Sequence, residues 1–172
     1  MAFYKVFNNA YMLNPINLKR VSLCLITHKH TASLLTVLNE PEVAQFNDYE
    51  IPLSREDVKQ MVQNDIARYY DKQGVRLAVI NNEDRLLMGS VGFYDILDTT
   101  VWLGFELSTR YWSFGYMYEV LSYLITAKHF ETLLDKKITS IYARVHLHNK
   151  RSMKLLSSIG FVQEQDNIWV YN

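Results

Sequence analysis

Three consecutive strand-like segments between residues 75 and 108 place the tightest limit on the fold of this chain. The stretch VRLAVINNEDRLLMGSVGFYDI has two apolar runs around the polar turn Asn81-Asn82-Glu83-Asp84, which is typical of a β-hairpin. In TTVWLGFELS, apolar residues at the odd positions from 101 to 107 alternate with Trp, Gly, Glu and Ser, which predicts a further strand. Strands joined by short turns pair antiparallel, so these segments predict the centre of an antiparallel sheet.

Segments with helical patterns precede and follow these strands in the sequence. In PLSREDVKQMVQNDIARYY, Ser54 is a good N-cap with Asp57 three residues later, ahead of a helical apolar stripe. TASLLTVLNEPEVAQF predicts a helix that is interrupted at Pro41, and KRSMKLLSSI predicts one that ends at Gly160. From Gly115 to about residue 134 we predict one long helix, with a buried stripe formed by Met117, Val120, Leu121, Leu124, Ala127 and Leu134.

The order of all predicted elements gives the fold class. RVSLCLIT predicts a first strand, KITSIYARVHL a later one, and FVQEQDNIWVYN a terminal hairpin. The strand–helix–strand units towards the C-terminus require parallel crossovers, whereas the hairpins require antiparallel pairing. We therefore predict an α/β (α+β) fold with a mixed, mostly antiparallel central sheet of six to seven strands and helices on both faces.

Length, charge and cysteine content narrow the classes of function. A chain of 172 residues is expected to form a single domain over residues 1–172. Its 18 basic and 18 acidic residues cancel, which argues against a nucleic-acid partner. Cys24, the single cysteine, lies in an apolar run and is expected to be a buried, unreactive thiol. Because the chain has no signal-like start and no apolar run of 18 residues, we expect a cytoplasmic protein with no membrane partner.

Two predicted helix starts carry residues that suit an anion. In RYWSFGYMYEV, Gly115 lies in the first helical turn, where unpaired backbone N–H groups and the helix dipole attract negative charge. The alternative is that Ser113 caps the helix and the glycine is simply tolerated there. In HNKRSMKLL, Asn149 is a good N-cap and Ser152 stands at the third helical position. Capping alone would also account for this second pattern.

Four segments together resemble the GNAT superfamily of acyl-CoA N-acyltransferases. They are NEPEVAQF, MGSVGFYDI, WLGFELSTRYWSFGYMYEV and ARVHLHNKRSMKLLSSIGF, and they span residues from about Arg20 to Phe161. The likeness is to the branch that contains the ribosomal-protein alanine and serine N-acetyltransferases. It implies a splayed GNAT-like sheet, acetyl-CoA as co-substrate without a metal, and transfer of the acetyl group to a primary amine by direct attack. The implied acceptor is a protein N-terminus or a small amine, and a homodimer is compatible with the resemblance.

The resemblance also implies which residues form the site. Ser152 would protonate the departing thiolate, and the coenzyme would be held by Leu107, Ser108, Trp112, Ser113, Phe114, Gly115, Tyr116, Met117, Asn149 and Ser152. Glu106 is the one carboxylate on the strand that leads into this segment, and we predict it as the general base. A solvated strand glutamate is the alternative. A backbone N–H near Leu107 would be the donor to the developing oxyanion.

Departures from the family pattern keep a second function open. The family usually has Gly and a basic residue where this chain has Ser113 and Phe114, and a small residue where it has Met117. It often has an acidic residue at the position of Trp102 and an arginine at that of Cys24. A catalytically weak or inactive GNAT-fold binding or regulatory module is therefore the alternative to an enzyme.

Further polar residues support weaker expectations. His146 and His148 share one face of a strand, but no third ligand stands at a recognisable spacing, so we expect no metal site. The segment His28-Lys29-His30 opens a helix and is expected to be solvated. Tyr49 and Glu50 are candidates for the wall of an acceptor cleft.

Overall fold

The structure, a computed structural model, describes residues 13–172, and one open sheet runs through this part of the chain. Its strands are β1 (Ile16–Asn17), β2 (Val21–Leu25), β3 (Val75–Asn81), β4 (Leu87–Leu97), β5 (Thr100–Leu107), β6 (Ser140–Arg144), β7 (Val162–Gln165) and β8 (Ile168–Tyr171). They lie in the order β1-β2-β3-β4-β5-β6-β8-β7, and only β5 and β6 pair in parallel. The mixed, mostly antiparallel sheet is confirmed. The described residues contain eight strands rather than six or seven, because the two-residue β1 adds an edge strand beside β2.

Helices cover both faces of the sheet, as predicted. They are α1 (Thr31–Leu38), α2 (Pro41–Ala44), α3 (Arg55–Tyr70), α4 (Tyr116–Leu121), α5 (His129–Leu134) and α6 (Lys150–Ile159). On one face, Leu34 of α1 and Val58 of α3 pack with Ala78 of β3. On the other face, side chains of α4, α5 and α6 join the larger core around β3 to β6. No helix among residues 13–172 is long and apolar enough to cross a membrane.

Local signals placed the first helices correctly. The Ser54 hydroxyl accepts a hydrogen bond from the Asp57 N–H at 3.1 Å, and the Asp57 carboxylate accepts one from the Ser54 N–H at 2.7 Å. This reciprocal pair starts α3, and Pro41 occupies the first turn of α2. The expectation of a solvated 28–30 segment is wrong for His30. This side chain is buried, because its Nδ1 accepts a hydrogen bond from the Thr27 N–H at 3.0 Å and so turns the ring inward.

The single long helix predicted from Gly115 to residue 134 is wrong. After α4 the chain forms one π-helical turn, Ser122–Thr126, and Lys128 then adopts a left-handed φ of 56° before α5. Ala127, predicted on the buried stripe, is exposed at this break. The break lets α5 place Phe130 against Phe93 of β4, with ring centroids 5.4 Å apart. Tertiary packing has therefore overridden the helical periodicity.

The sheet splits between β5 and β6. The two strands pair in register from Thr100 and Ser140 to Leu103 and Ala143, where the pairing stops. Beyond that point β5 continues to Leu107, hydrogen-bonded to β4 alone, while β6 ends at Arg144. The splayed sheet implied by the family resemblance is confirmed, and the split opens between the helix layers.

Candidate active site

A cavity of about 830 Å³ occupies the split between β5 and β6. Its wall is built from residues 102–107 of β5, residues 143–146 at the end of β6, α2 with the loop after it, the start of α4, and α6. Both helix layers and both separated strands therefore contribute side chains to one space. A cavity of this size is in the range that holds a small-molecule ligand.

Most of the predicted site residues line this cavity. They are Glu106, Leu107, Trp112, Ser113, Gly115, Tyr116, Met117, Asn149 and Ser152. Two others do not. Ser108 is buried directly after β5, and its N–H donates to the Met88 carbonyl of β4 at 2.8 Å. The ring of Phe114 is 65% exposed and does not line the cavity, while the Phe114 carbonyl accepts a hydrogen bond from the Arg20 side chain.

The segment before α4 has an unusual backbone. Gly115 is the N-cap residue of α4 with a left-handed φ of 77°, and Ser113 also has a positive φ, of 67°. No side chain caps α4, so the interpretation of Ser113 as its cap is wrong. The first N–H groups of an α-helix have no partner within the helix, and Gly115 has no side chain that could accept from them. This end of the cavity therefore presents backbone donors.

Arg20 contacts this segment without lining the cavity, and it was not identified from the sequence. Its Nη1 donates to the Phe114 carbonyl at 2.8 Å, and its Nε lies 2.7 Å from Oε2 of Glu119. Its guanidinium also lies 4.5 Å from the ring centroid of Tyr116. Because Arg20 is more than 90 residues away in the chain, no local pattern could have indicated these contacts.

The start of α6 has the predicted geometry. The Asn149 side chain accepts a hydrogen bond from the Ser152 N–H at 3.1 Å, which confirms Asn149 as the N-cap. Next to it, the Arg151 guanidinium lies 4.8 Å above the Trp112 ring, whose Nε1 donates to the Leu107 carbonyl at 2.6 Å. These contacts link α6 to the segment between β5 and α4, so the two helix starts face the same cavity.

Charges on the cavity wall are unevenly distributed. Carboxylates come from α2, the loop after it, β4 and β5, namely Glu42, Asp48, Asp95 and Glu106. Arg151 and Lys154 of α6 line the same cavity, and Arg144 at the end of β6 lies 5.2 Å from the Trp102 ring. Apart from Arg144, the wall is acidic on the α2 side and basic on the α6 side, so it suits a cationic group at one end and an anion at the other.

Glu106 is not a solvated strand residue. Its side chain is 12% exposed, it accepts a hydrogen bond from the Ser90 hydroxyl, and its Oε2 lies 3.5 Å from Nη1 of Arg76. Burial raises the pKa of the Glu106 carboxyl above its ordinary value, and Arg76 and Ser90 partly offset this. A carboxylate with a raised pKa that faces a cavity has the properties of a general base.

The residues predicted to form the wall of an acceptor cleft lie away from the cavity. Tyr49 and Glu50 do not line the cavity; the Tyr49 hydroxyl donates to the Leu38 carbonyl at 2.9 Å, and residues 46–48 form this wall instead.

Cys24 is half-buried, and its burial raises the pKa of the thiol, which disfavours the reactive thiolate. His146 lines the cavity beside Phe46, with ring centroids 5.6 Å apart. Within residues 13–172 no group of three or more His, Cys, Asp or Glu side chains is placed to hold a metal ion.

Comparison with known proteins assigns the family. Residues 20–162 match the Acetyltransferase (GNAT) domain family, which is most of the chain. The protein is a GNAT acetyltransferase family member. It is also 26% identical over 147 residues to the uncharacterized N-acetyltransferase YoaA of Bacillus subtilis (strain 168), a match that covers 84% of this chain and 81% of that protein.

Solved GNAT structures share the fold described above. The ribosomal-protein-S5-alanine acetyltransferase of Vibrio fischeri superposes with a TM-score of 0.77 at 15% identity, covering 92% of this chain and 96% of that one. RimL, a ribosomal L7/L12 alpha-N-protein acetyltransferase solved in complex with coenzyme A, gives a TM-score of 0.79 at 16% identity, covering 92% and 97%. The two TM-scores show a common fold. Both neighbours are ribosomal-protein N-acetyltransferases, and they belong to the branch of the family that the sequence resembles.

The left-handed residues ahead of α4 allow a direct test of this GNAT site's backbone. Gly115→Ala should lower the free energy of unfolding by about 1–2 kcal/mol, because an added Cβ disfavours a φ of 77°. The new Cβ meets only Nη2 of Arg20, at 3.6 Å, which is an ordinary contact, so steric overlap adds little. Urea unfolding followed by circular dichroism measures the change.

Ser113→Ala is the matched control. Ser113 already has a Cβ at a positive φ, so its replacement leaves the backbone strain unchanged and should alter stability little. Equal losses of unfolding free energy in the two variants would show that the positive φ at position 115 does not explain why this residue is a glycine.

Proposed function

We propose that this protein transfers the acetyl group of acetyl-CoA to a primary amine by direct attack, inside the cavity between β5 and β6. The observation that carries the proposal is the arrangement of that single cavity. Uncapped backbone donors at the start of α4, the capped start of α6 and the buried Glu106 carboxylate all face it. A base at one end and an anion-binding wall at the other are what an amine and a phosphate-bearing thioester need.

The residues present fit an acyl-CoA. Its diphosphate carries negative charge that suits the uncapped N–H groups of Tyr116 and Met117, next to Gly115. Arg151 and Lys154 on α6 add positive charge on the same side of the cavity. The thioester would then point into the split, where the separated ends of β5 and β6 leave room between Glu106 and Ser152.

Glu106 and Ser152 would act on the two ends of the transfer. Glu106, directly or through a water molecule, takes a proton from the ammonium form of the acceptor, and the free amine attacks the thioester carbonyl. The carbon–nitrogen bond forms as the carbon–sulfur bond breaks. The Ser152 hydroxyl gives a proton to the departing thiolate, and the second proton that the attacking nitrogen loses returns to Ser152 through water. A thiol with a pKa near 8.5 leaves readily, so the contribution of Ser152 is smaller than that of the base.

The acidic side of the cavity favours a positively charged acceptor. An α-amino group has a pKa of about 7.7–8.0 and a lysine side chain one of about 10.4, so an α-amino group needs less help from a base near neutral pH. The S5-alanine and L7/L12 acetyltransferases named above act on ribosomal proteins by their descriptions. We therefore propose a protein N-terminus as the first acceptor to test and a small amine as the second, both encountered in the cytoplasm.

One observation favours a second candidate function. Ser113 has a left-handed φ where a glycine would be unstrained, and the aromatic ring of Phe114 is turned to solvent beside it. A GNAT-fold module that binds acyl-CoA weakly and lacks turnover would tolerate such a segment.

Binding and turnover separate the two functions. Acetyl-CoA and free coenzyme A should each raise the melting temperature of the protein, since a ligand at 100 times its Kd stabilises the native state by about 2.7 kcal/mol. With acetyl-CoA and peptides that carry a free α-amino group, free thiol should appear in step with acetylated peptide, and N-terminally blocked peptides should give neither.

If acetyl-CoA stabilises the protein but no peptide or small amine causes thiol release, the protein is the binding module and not an acetyltransferase. No stabilisation at millimolar acetyl-CoA would contradict the enzyme and favour the regulatory module, with acyl-CoA bound weakly or not at all.

Ser152 has a matched control on its own helix. Ser152→Ala should lower kcat by about tenfold or more while leaving the Kd of acetyl-CoA nearly unchanged, because its proposed partner is the leaving sulfur. Ser158 also lines the cavity, but its hydroxyl donates to the Leu155 carbonyl at 2.6 Å, so Ser158→Ala should leave kcat unaltered. Single-turnover rates and calorimetric titration separate the two constants. Equal kcat values for the two variants would reduce Ser152 to part of a helix start.

A further inference from the structure

Glu106 belongs to a chain of polar contacts that crosses three strands and reaches α3. The Arg76 guanidinium lies at the centre: its Nη1 donates to the Ser90 hydroxyl at 2.9 Å and lies 3.5 Å from Oε2 of Glu106. Its Nε lies 3.1 Å from Oδ2 of Asp65 on α3. The side chains of Arg76, Asp65 and Glu106 are between 12% and 20% exposed, and Ser90 is fully buried. One cation is thus shared by two carboxylates, of which only Glu106 lines the cavity.

The register of the sheet makes room for this arrangement. Arg76 pairs with Gly92 across β3 and β4, and a Cβ built on Gly92 would lie 3.0 Å from Cζ of Arg76. The glycine therefore allows the guanidinium to lie flat across the neighbouring strand. Ser90 stands directly opposite Glu106 between β4 and β5, so its hydroxyl reaches both Arg76 and the carboxylate. A one-residue slip would turn these side chains to the other face.

We propose that Arg76 and Asp65 are positioning residues for Glu106: Arg76, anchored by Asp65 and bridged by Ser90, holds the carboxylate so that its free lone pairs face the cavity. This proposal rests on the proposed acetyl transfer with Glu106 as base. Arg76 and Asp65 do not line the cavity, so neither touches the reactants. Their effect passes through Glu106 alone.

The two residues act on Glu106 with opposite signs. The positive charge of Arg76 lowers the pKa of Glu106, whereas the negative charge of Asp65 raises it, on top of the larger increase from burial. Asp65 also accepts from Arg68, whose Nη1 lies 3.2 Å from its other oxygen. Two tyrosines also lie near this chain, Tyr49 beside Glu106 and Tyr94 beside Arg76, and burial raises both of their pKa values above the ordinary one. Both tyrosines are therefore neutral where Glu106 titrates. Asp48 and Asp95 act on Tyr94 and line the cavity with Glu106.

Removing each residue should move the titration of Glu106 in opposite directions. In Arg76→Gln the carboxylate loses its cation, so the acid limb of kcat/KM should shift to higher pH. In Asp65→Asn a competing anion is lost and Arg76 is free to pair with Glu106, so the acid limb should shift to lower pH. NMR titration of the 13C-labelled glutamate carboxyls, assigned with Glu106→Gln, should show the same two shifts without any acceptor or acetyl-CoA.

Two further variants control for damage to the fold. Arg76→Lys keeps the cation and loses the fork that spans Ser90 and Asp65; it should leave the acid limb nearer to wild type than Arg76→Gln does, but lower the plateau of kcat. Arg68→Gln removes an arginine from Asp65 on its exposed side, and should shift the Glu106 titration little.

The outcomes distinguish this proposal from the one on which it rests. An inactive wild-type protein overturns the proposed function, and an acid limb that persists in Glu106→Gln overturns the base assignment; the carboxyl titration still tests the electrostatic control in both cases. If Arg76→Gln and Asp65→Asn leave the titration of Glu106 unchanged, or shift it in the same direction, the positioning pair is wrong.

Discussion

The parting of β5 from β6 is the constraint on which the rest of the site depends. Parallel pairing holds these strands together as far as Leu103 and Ala143, and it could not continue without closing the space between them. Past that point β5 keeps its antiparallel partner β4, so the strand that carries Glu106 stays paired along one edge while its other edge is free. The free edge faces the cavity, and the starts of α4 and α6 converge on it. A sheet with continuous pairing would have separated these helix starts from Glu106.

The mostly buried ion pairs that Arg76 forms with Asp65 and Glu106 are better explained by function than by stability. Removing two charges from water costs several kcal/mol per ion, and replacing a buried pair by apolar residues is often neutral or stabilising. The face of the sheet beside α1 and α3 already has an apolar cluster around Val58, Val62 and Ala78 that would accommodate such residues. Arg76 and Glu106 instead interrupt this apolar surface at the edge of the cavity. Their location is therefore consistent with a charge that is needed where an acceptor amine would lie.

Much of the fold followed from local patterns in the sequence. The hairpin of β3 and β4, the capping box of α3 and the Asn149 cap of α6 each rest on residues a few positions apart, and each is confirmed. The break at Lys128 was missed because Phe130 gains its partner Phe93 from a distant strand. The additional edge strand β1 was missed because two residues carry no periodicity.

Most residues that line the cavity were predicted from the sequence, but the contacts that hold them in place were not. Sequence indicated that Glu106 alternates with the packed residues of β5, since alternation along a strand is a local property, and the structure places Glu106 on the cavity wall. It did not indicate Arg76, Asp65 or Arg20, because their contacts depend on the register of neighbouring strands and on packing across many residues. Phe114 was assigned to the coenzyme site by analogy with a family position, whereas its ring turns away from the cavity.

A crystal structure with coenzyme A tests the central claim most directly. Diphosphate oxygens are expected about 3 Å from the backbone nitrogens at the start of α4. The thiol is expected in the split between β5 and β6, with Ser152 and Glu106 on either side of it. Coenzyme A bound elsewhere on the surface, or bound with its thiol outside the split, would contradict the assignment of this cavity as the place where acetyl transfer occurs.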